Sequence, residues 1–170
     1  MKVLVSAASR HGATAEVAEA IAAALVRRGA DAVVVAPADV AAVDGFGGAV
    51  IGSAVYVGRW LEPARDLLES HRDGLARIPV WLFSSGPVGD PPKPVDEPID
   101  VAALVALVGA REHRVIPGRI DKQRLGLGER AILAAVRAPE GDFRPWPEIE
   151  AWAREIADAL GAVPEVVPAG

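Results

Sequence analysis

Between a short apolar run, Lys2–Ser6, and a segment of helical periodicity beginning at Thr14 stands the sequence Ala7-Ala8-Ser9-Arg10-His11-Gly12-Ala13-Thr14. Ser9 and Thr14 bring hydroxyl donors, Arg10 and His11 bring positive charge, and the small residues let the backbone come close to a ligand. A helix opening here adds unpaired amide N–H groups and the positive end of its dipole. The chemistry such a set suits is the gripping of a phosphate. The same residue types also suit a helix capped by Thr14 and a turn closed by Ser9, and on their own they leave both readings open. A Walker loop is excluded because Gly-Lys-Ser/Thr is absent, and a dinucleotide fingerprint because Gly12 stands without the other spaced glycines. A phosphoacceptor receiver needs acids after the first strand and an aspartate ending the third. Ser6, Ala7 and Ser53 hold those places.

Composition narrows the chemistry further. The chain has 170 residues, no cysteine, three histidines (His11, His71, His113) and a formal net charge of −5. Disulfides, thiol catalysis and thiolate metal sites are excluded, and no two histidines are spaced as a ligand pair, so no protein-held metal is expected. An acidic total argues against a nucleic-acid partner. With 51% hydrophobic residues the chain can bury a core,. No apolar run has the length of a membrane span or of a signal core, so a cytoplasmic location is expected. No side chain stands out as a general acid or base, and none is assigned as catalytic. Any redox chemistry must then be carried by an organic cofactor.

The elements that position the loop follow from periodicity. Strand-length apolar runs at Lys2–Ser6, Ala32–Ala36, Ala49–Gly52, Val80–Ser84 and Arg114–Ile116 alternate with helical patterns at Thr14–Arg28, Leu61–Leu75, Val101–Val108 and Pro147–Leu160. Alternation of this kind is that of an α/β protein with a doubly wound parallel sheet. One domain over 1–160 is expected, with 118–145 as an extra segment after the fifth strand and 161–170 as a fraying tail. In such sheets ligands sit at the carboxyl ends of the strands, where the phosphate loop lies.

Ser9-Arg10-His11-Gly12-Ala13-Thr14, followed by Ala18 and Ile21, resembles the flavodoxin signature, whose hydroxyl-rich loop wraps the phosphate of FMN. Val50–Trp60 is similar to the loop after the third strand in flavodoxin-type, menaquinone-dependent protoporphyrinogen dehydrogenases, and Trp146–Ile156 resembles the start of their last helix. The resemblance implies a flavodoxin-like three-layer α/β/α sandwich with five parallel strands in the order 2-1-3-4-5. It implies FMN as the cofactor, its phosphate held by Ser9, Arg10, His11, Gly12, Ala13 and Thr14. Ser53, Ala54, Val55, Tyr56, Val57 and Gly58 would form the second wall of the flavin slot, with Tyr56 and Trp60 as candidates to lie against the ring and Gly52 and Gly58 permitting close approach. Ser85, Gly86, Pro87, Val88 and Gly89 would form the third wall. This stretch has no aromatic residue, where electron-carrier flavodoxins commonly have one, so one ring face would stay open for a flat substrate.

Seven basic residues against three acidic ones mark Arg111–Arg137. Leu125, Leu127, Ile132, Leu133 and Val136 lie among them. The combination suits an anionic amphiphile, either a membrane face met through 119–137 or a carboxylate-bearing tetrapyrrole, and it equally suits a solvated surface. Two redox functions stay in view, beside the non-redox possibility of a scaffold of this fold that has lost FMN. One is an FMN-dependent oxidoreductase with a tetrapyrrole or quinone substrate, and the other an electron carrier docking on redox partner proteins.

Overall fold

The computed structural model describes residues 1–86, 97–135 and 140–162. In chain order its elements are β1 (Lys2–Ala8), α1 (Ala13–Arg27), β2 (Asp31–Val34), β3 (Gly48–Tyr56), β4 (Arg59–Trp60), α2 (Glu62–Ser70), α3 (Arg72–Leu75), β5 (Val80–Ser85), α4 (Val101–Val108), β6 (Glu112–Ile116), β7 (Arg119–Ile120), α5 (Leu127–Ala135), β8 (Gly141–Asp142) and α6 (Trp146–Ala159). The five long strands lie side by side as β2-β1-β3-β5-β6, all parallel. That is the expected order, since β4 is a short addition paired only to β3.

Side chains alternate across the sheet because the strand period is two. Val3, Val5, Val50, Trp81 and Phe83 point to one face and pack against α1 and α6, while Leu4, Ile51 and Leu82 point to the other and pack against α2, α3 and α4. Val17, Ile21 and Leu25, four apart on α1, are fully buried, as the helical spacing predicts,. On α6 the buried stripe is Ile149, Trp152, Ala153 and Ile156, with Trp152 edge-on to Phe83 at 6.3 Å between ring centres. A Cβ on Gly52 would fall inside the Phe83 ring. The absent side chain at Gly52 therefore makes room for the core, and not for a ligand as expected.

The chain departs from the sequence reading in four places. Strand β2 stops at Val34, and a 3-10 turn forms at Pro37–Asp39, where proline has no N–H to continue a ladder,. Strand β3 runs on to Tyr56 instead of stopping at Gly52, then reverses through Val57 (φ 51°) and Gly58 (φ 71°) into antiparallel β4. Positive φ at both central residues gives the turn twist that suits a two-residue hairpin, and a β-branched Val57 is strained there. The helix expected over Leu61–Leu75 is divided at His71, whose ring Nε2 lies 3.2 Å from the Val40 carbonyl oxygen. Finally, the extra segment folds into the β7–β8 ladder and α5. The expected fraying of the tail concerns residues that, from 163 onward, lie outside those described.

Candidate functional site

A cavity of about 250 Å³ opens at the carboxyl ends of β1, β3 and β5. The loop after β1 supplies Ser9, Arg10, His11, Ala13 and Thr14, and the sheet side supplies Ala54, Val55, Tyr56, Leu61, Ser85 and Gly86. The segment after β6 closes it with Gly118, Arg119, Ile120, Leu125, Glu129, Ile132 and Leu133. Ten of the residues named from sequence are thereby brought to one place.

In the loop, Gly12 adopts φ 89° and its N–H donates to Ser9 Oγ at 3.0 Å, so Ser9 does close a turn. Thr14 does not cap the helix. α1 begins one residue earlier, and Thr14 is buried against the cavity with no capping bond from its side chain. The first-turn amides of α1 have no helical carbonyl to bond and stand at the dipole's positive end. Arg10 lies over the Tyr56 ring, its guanidinium carbon 4.3 Å from the ring centre. Gly12 belongs to the loop without lining the cavity.

The sheet-side wall is built on buried polar contacts. Ser53 does not face the cavity; its hydroxyl donates to the Ala54 carbonyl at 2.8 Å and accepts the Leu61 N–H at 2.9 Å. Trp60, a candidate for the ring slot, is instead 2% exposed in the core, with Nε1 donating to Ser84 Oγ at 2.7 Å. The hairpin explains the correction: pairing Trp60 with Val55 turns the indole beneath the wall. Ser84 Oγ also lies 2.8 Å from His113 Nε2, and His113 Nδ1 lies 3.3 Å from Glu97. Burial holds the His113 pKa below its ordinary value, against the pull of Glu97. Val57 and Gly58 sit at the hairpin tip outside the cavity, Val57 being 82% exposed. Pro87, Val88 and Gly89 lie outside the described residues.

The cover was only half visible in sequence. Its apolar residues Leu125, Ile132 and Leu133 were noted within a basic stretch, but as outward surface, whereas they face the cavity. Two of its basic residues also reach toward α1 and the loop. Arg119 donates to Glu16 at 3.1 Å and Arg124 to the His11 carbonyl at 3.2 Å. Arg144, 7% exposed and not picked out from sequence, donates to both Asp142 oxygens at 2.8 and 2.6 Å, to Glu16 at 2.6 Å and to the Ala13 carbonyl at 3.2 Å. These bonds from Arg144, with Arg119 in support, hold the Glu16 and Asp142 carboxyls below the usual carboxylate range. Glu129 sits over the loop, with Oε1 3.0 Å from Arg10 Nε and 3.2 Å from His11 Nε2. The Gly126 N–H bond, aided by His11 and Arg10, holds the Glu129 carboxyl below the usual carboxylate range.

A family model for a flavodoxin domain matches residues 4–144. The chain belongs to the flavodoxin family. Solved structures agree in fold. A flavodoxin from the domain Archaea shares 17% identity over 95% of this chain and 99% of its own, with a TM-score of 0.65. A point variant of the Pseudomonas aeruginosa flavodoxin shares 19% over 95% and 99%, with a TM-score of 0.62. The rubredoxin oxygen:oxidoreductase of Desulfovibrio gigas shares 14% over 95% of this chain but only 36% of its own, with a TM-score of 0.66. Identities this low carry the fold alone. No curated protein matches the chain in sequence. Among the described residues no helix is long and apolar enough to cross a membrane.

Proposed function

We propose that the cavity binds FMN and that the protein is an FMN-dependent oxidoreductase, taking electrons from a bulky reduced substrate and passing them to a quinone or another acceptor. The observation that carries this reading is one cavity with two unlike ends. Hydroxyls, cations and helix-start amides gather at Ser9–Thr14, and apolar walls from Ala54, Val55, Leu61, Ile132 and Leu133 enclose the other end. That donor set fits a phosphate ester joined to a flat, largely apolar ring. At the sheet-side wall the backbone is closely packed, a Cβ on Gly86 falling 3.3 Å from the Val55 Cβ and one on Gly118 3.6 Å from the Gly86 backbone.

FMN, when bound, supplies reversible one- or two-electron transfer. The residues of this chain bind and shield. Ser9, Thr14 and the first-turn amides would hold the phosphate, Tyr56 would flank the ring with Arg10 stacked behind it, and α5 would exclude water. A tetrapyrrole substrate, as in the protoporphyrinogen dehydrogenases, is supported by the resemblance of Val50–Trp60 and Trp146–Ile156. Peripheral contact with an anionic membrane through 119–137, of which 136 and 137 lie outside the described residues, is supported by the exposure of Leu127 near Arg130. The acidic total of −5 favours the second reading, an electron carrier docking on basic partners.

The deciding experiment is the visible spectrum of the purified protein with and without added FMN, followed by anaerobic redox titration. A single two-electron step and turnover of a porphyrinogen with a menaquinone analogue are expected. Two separated one-electron steps without turnover would select the carrier, and a colourless protein that takes up no FMN would overturn both.

A further inference from the structure

Among the described residues, the acidic side chain lining the cavity is Glu129, and it stands on Arg10 and His11 of the loop itself. Its two oxygens do different work. Oε2 accepts the Gly126 N–H at 3.1 Å, the Glu half of a capping box that starts α5,. Oε1 reaches across to Arg10 and His11 at 3.0 and 3.2 Å. Helix α5 has little else to hold it, for none of its residues is buried. The cavity with α5 seated is about 250 Å³, short of the roughly 300–1,000 Å³ of pockets that enclose a cofactor-sized ligand.

We propose that Glu129 is the internal counter-anion of the phosphate loop, latching α5 over the cavity until an incoming phosphate monoester takes its place on Arg10 and His11. The proposal rests on the FMN reading for its natural ligand, though its contacts belong to the protein alone. Two anions held by the same Arg10 and His11 repel, so phosphate entry and the Glu129 contact exclude each other. Exchange of one anion for the other frees α5 to move back and enlarges the cavity. Two consequences follow for selectivity. A flavin nucleotide binds against the full competition of Glu129. Riboflavin, with no phosphate, has nothing to exchange and leaves the latch in place.

The test compares wild type, Glu129→Gln and Arg10→Gln by two measurements. The first is hydrogen exchange of the 127–135 amides in flavin-free protein, with and without inorganic phosphate. The second is the affinity for FMN and for riboflavin. In wild type, phosphate is expected to speed α5 exchange. In both variants exchange is already about tenfold faster, a factor within the range of coupling between two sites, and phosphate adds nothing. Glu129→Gln, which keeps the size of the side chain, should tighten FMN about tenfold, and should tighten riboflavin as well, because the variant removes the latch that riboflavin cannot displace. Arg10→Gln breaks the same contact from the other side but should weaken FMN, because the loop loses its own cation. The proposal is overturned if α5 exchange ignores both phosphate and Glu129→Gln, or if that variant weakens FMN and riboflavin alike, as loss of a mere helix cap would. A protein whose α5 answers to phosphate and to Glu129→Gln, yet which binds no flavin, would sink the FMN reading and keep the latch.

Discussion

The two sides of the cavity are made by different forces. The sheet side ends strands whose flanking residues are among the most buried in the molecule: Ile51, Leu82 and Phe83 are fully covered, and Trp60 is locked beneath the rim by Ser84. The cover side, from Arg119 to Ala135, is fastened to α1 and the loop chiefly by charged contacts, through Arg119, Arg124 and Glu129. Apolar burial is worth about 25 cal/mol per Å² and is indifferent to salt, whereas exposed ion pairs bring about 0–1 kcal/mol each and are screened. A wall that keeps its shape faces a cover that can leave. Such a pairing suits a site that must hold one ligand tightly and still admit another.

The contrast is tested most severely from the sheet side. Phe83→Ala removes a fully buried ring lying on Gly52 and edge-on to Trp152, and because Gly52 has no side chain the hole cannot be filled locally. Global stability in urea should fall by about 4 kcal/mol, in the range for Phe→Ala in cores. A loss below ~1 kcal/mol would mean that the wall is no stiffer than its cover.

Next in size is the root of the cover. Arg144→Met keeps an unbranched side chain but removes the guanidinium that lies over Trp146, and leaves Glu16 and Asp142 without their main partner. Breaking a buried pair costs about 3–5 kcal/mol. Both carboxylates are here 40% exposed, so about 2–3 kcal/mol is expected in the same urea experiment, discounted for solvent screening. The loss should also appear as faster exchange at 119–120 and 141–142 than at β3 and β5. Equal acceleration everywhere would show that the two sides unfold as one unit.

The same division explains what could be read in the sequence. Residues placed by apolar periodicity were legible: α1, α4 and α6 fall within a residue or two of their expected bounds, and the order of the long strands follows from alternation and βαβ handedness,. The loop Ser9–Thr14 was picked out by residue type, and five of its six residues line the cavity. Trp60 was misplaced because a hairpin through Val57, a poor residue for positive φ, leaves no turn signal, and without that turn the indole's direction is undetermined,. Arg144 was missed because its importance lies in meeting Glu16 and Asp142 at once, and long-range pairing of charges has no period. The inward turn of 119–133 was hidden for the same reason: a run of arginines reads as a solvated surface until the partner of Arg119 on α1 and that of Arg124 in the loop are known.

A smaller effect separates the two sides by pH. His113, under the sheet-side rim, has its pKa lowered by burial from 6.5. The unfolded chain then binds a proton the folded chain refuses, so stability rises with pH up to about 6.5 and is lost as pH falls below it. Thermal midpoints should drop between pH 7 and 5.5 in wild type and drop less in His113→Gln, which keeps a polar partner for Ser84. Glu16 and Asp142, lowered from 4.5 and 3.8, add their own loss only at still lower pH. An unchanged slope in His113→Gln would remove His113 from the account.

The smallest effect is expected from salt, and it should touch one side alone. Arg10 is 46% exposed and Glu129 17%, and the Arg124–Asp121 pair is similarly open at 51% and 35%. At 1 M salt the screening length is about 3 Å, comparable to the contacts themselves, so these pairs lose most of their attraction. With about 0–1 kcal/mol at stake per pair, exchange at 127–135 should quicken by a factor of about 2–5 between 0.05 and 1 M sodium chloride. The β3 and β5 amides, protected by burial, should stay unchanged or slow slightly, because salt does not weaken apolar packing. If sulfate at matched ionic strength released α5 further than chloride, anion exchange at the loop would be adding to plain screening. Were α5 as indifferent to salt as β3, Ile132 and Leu133 rather than the charges would be holding the cover, and the two sides would be alike after all.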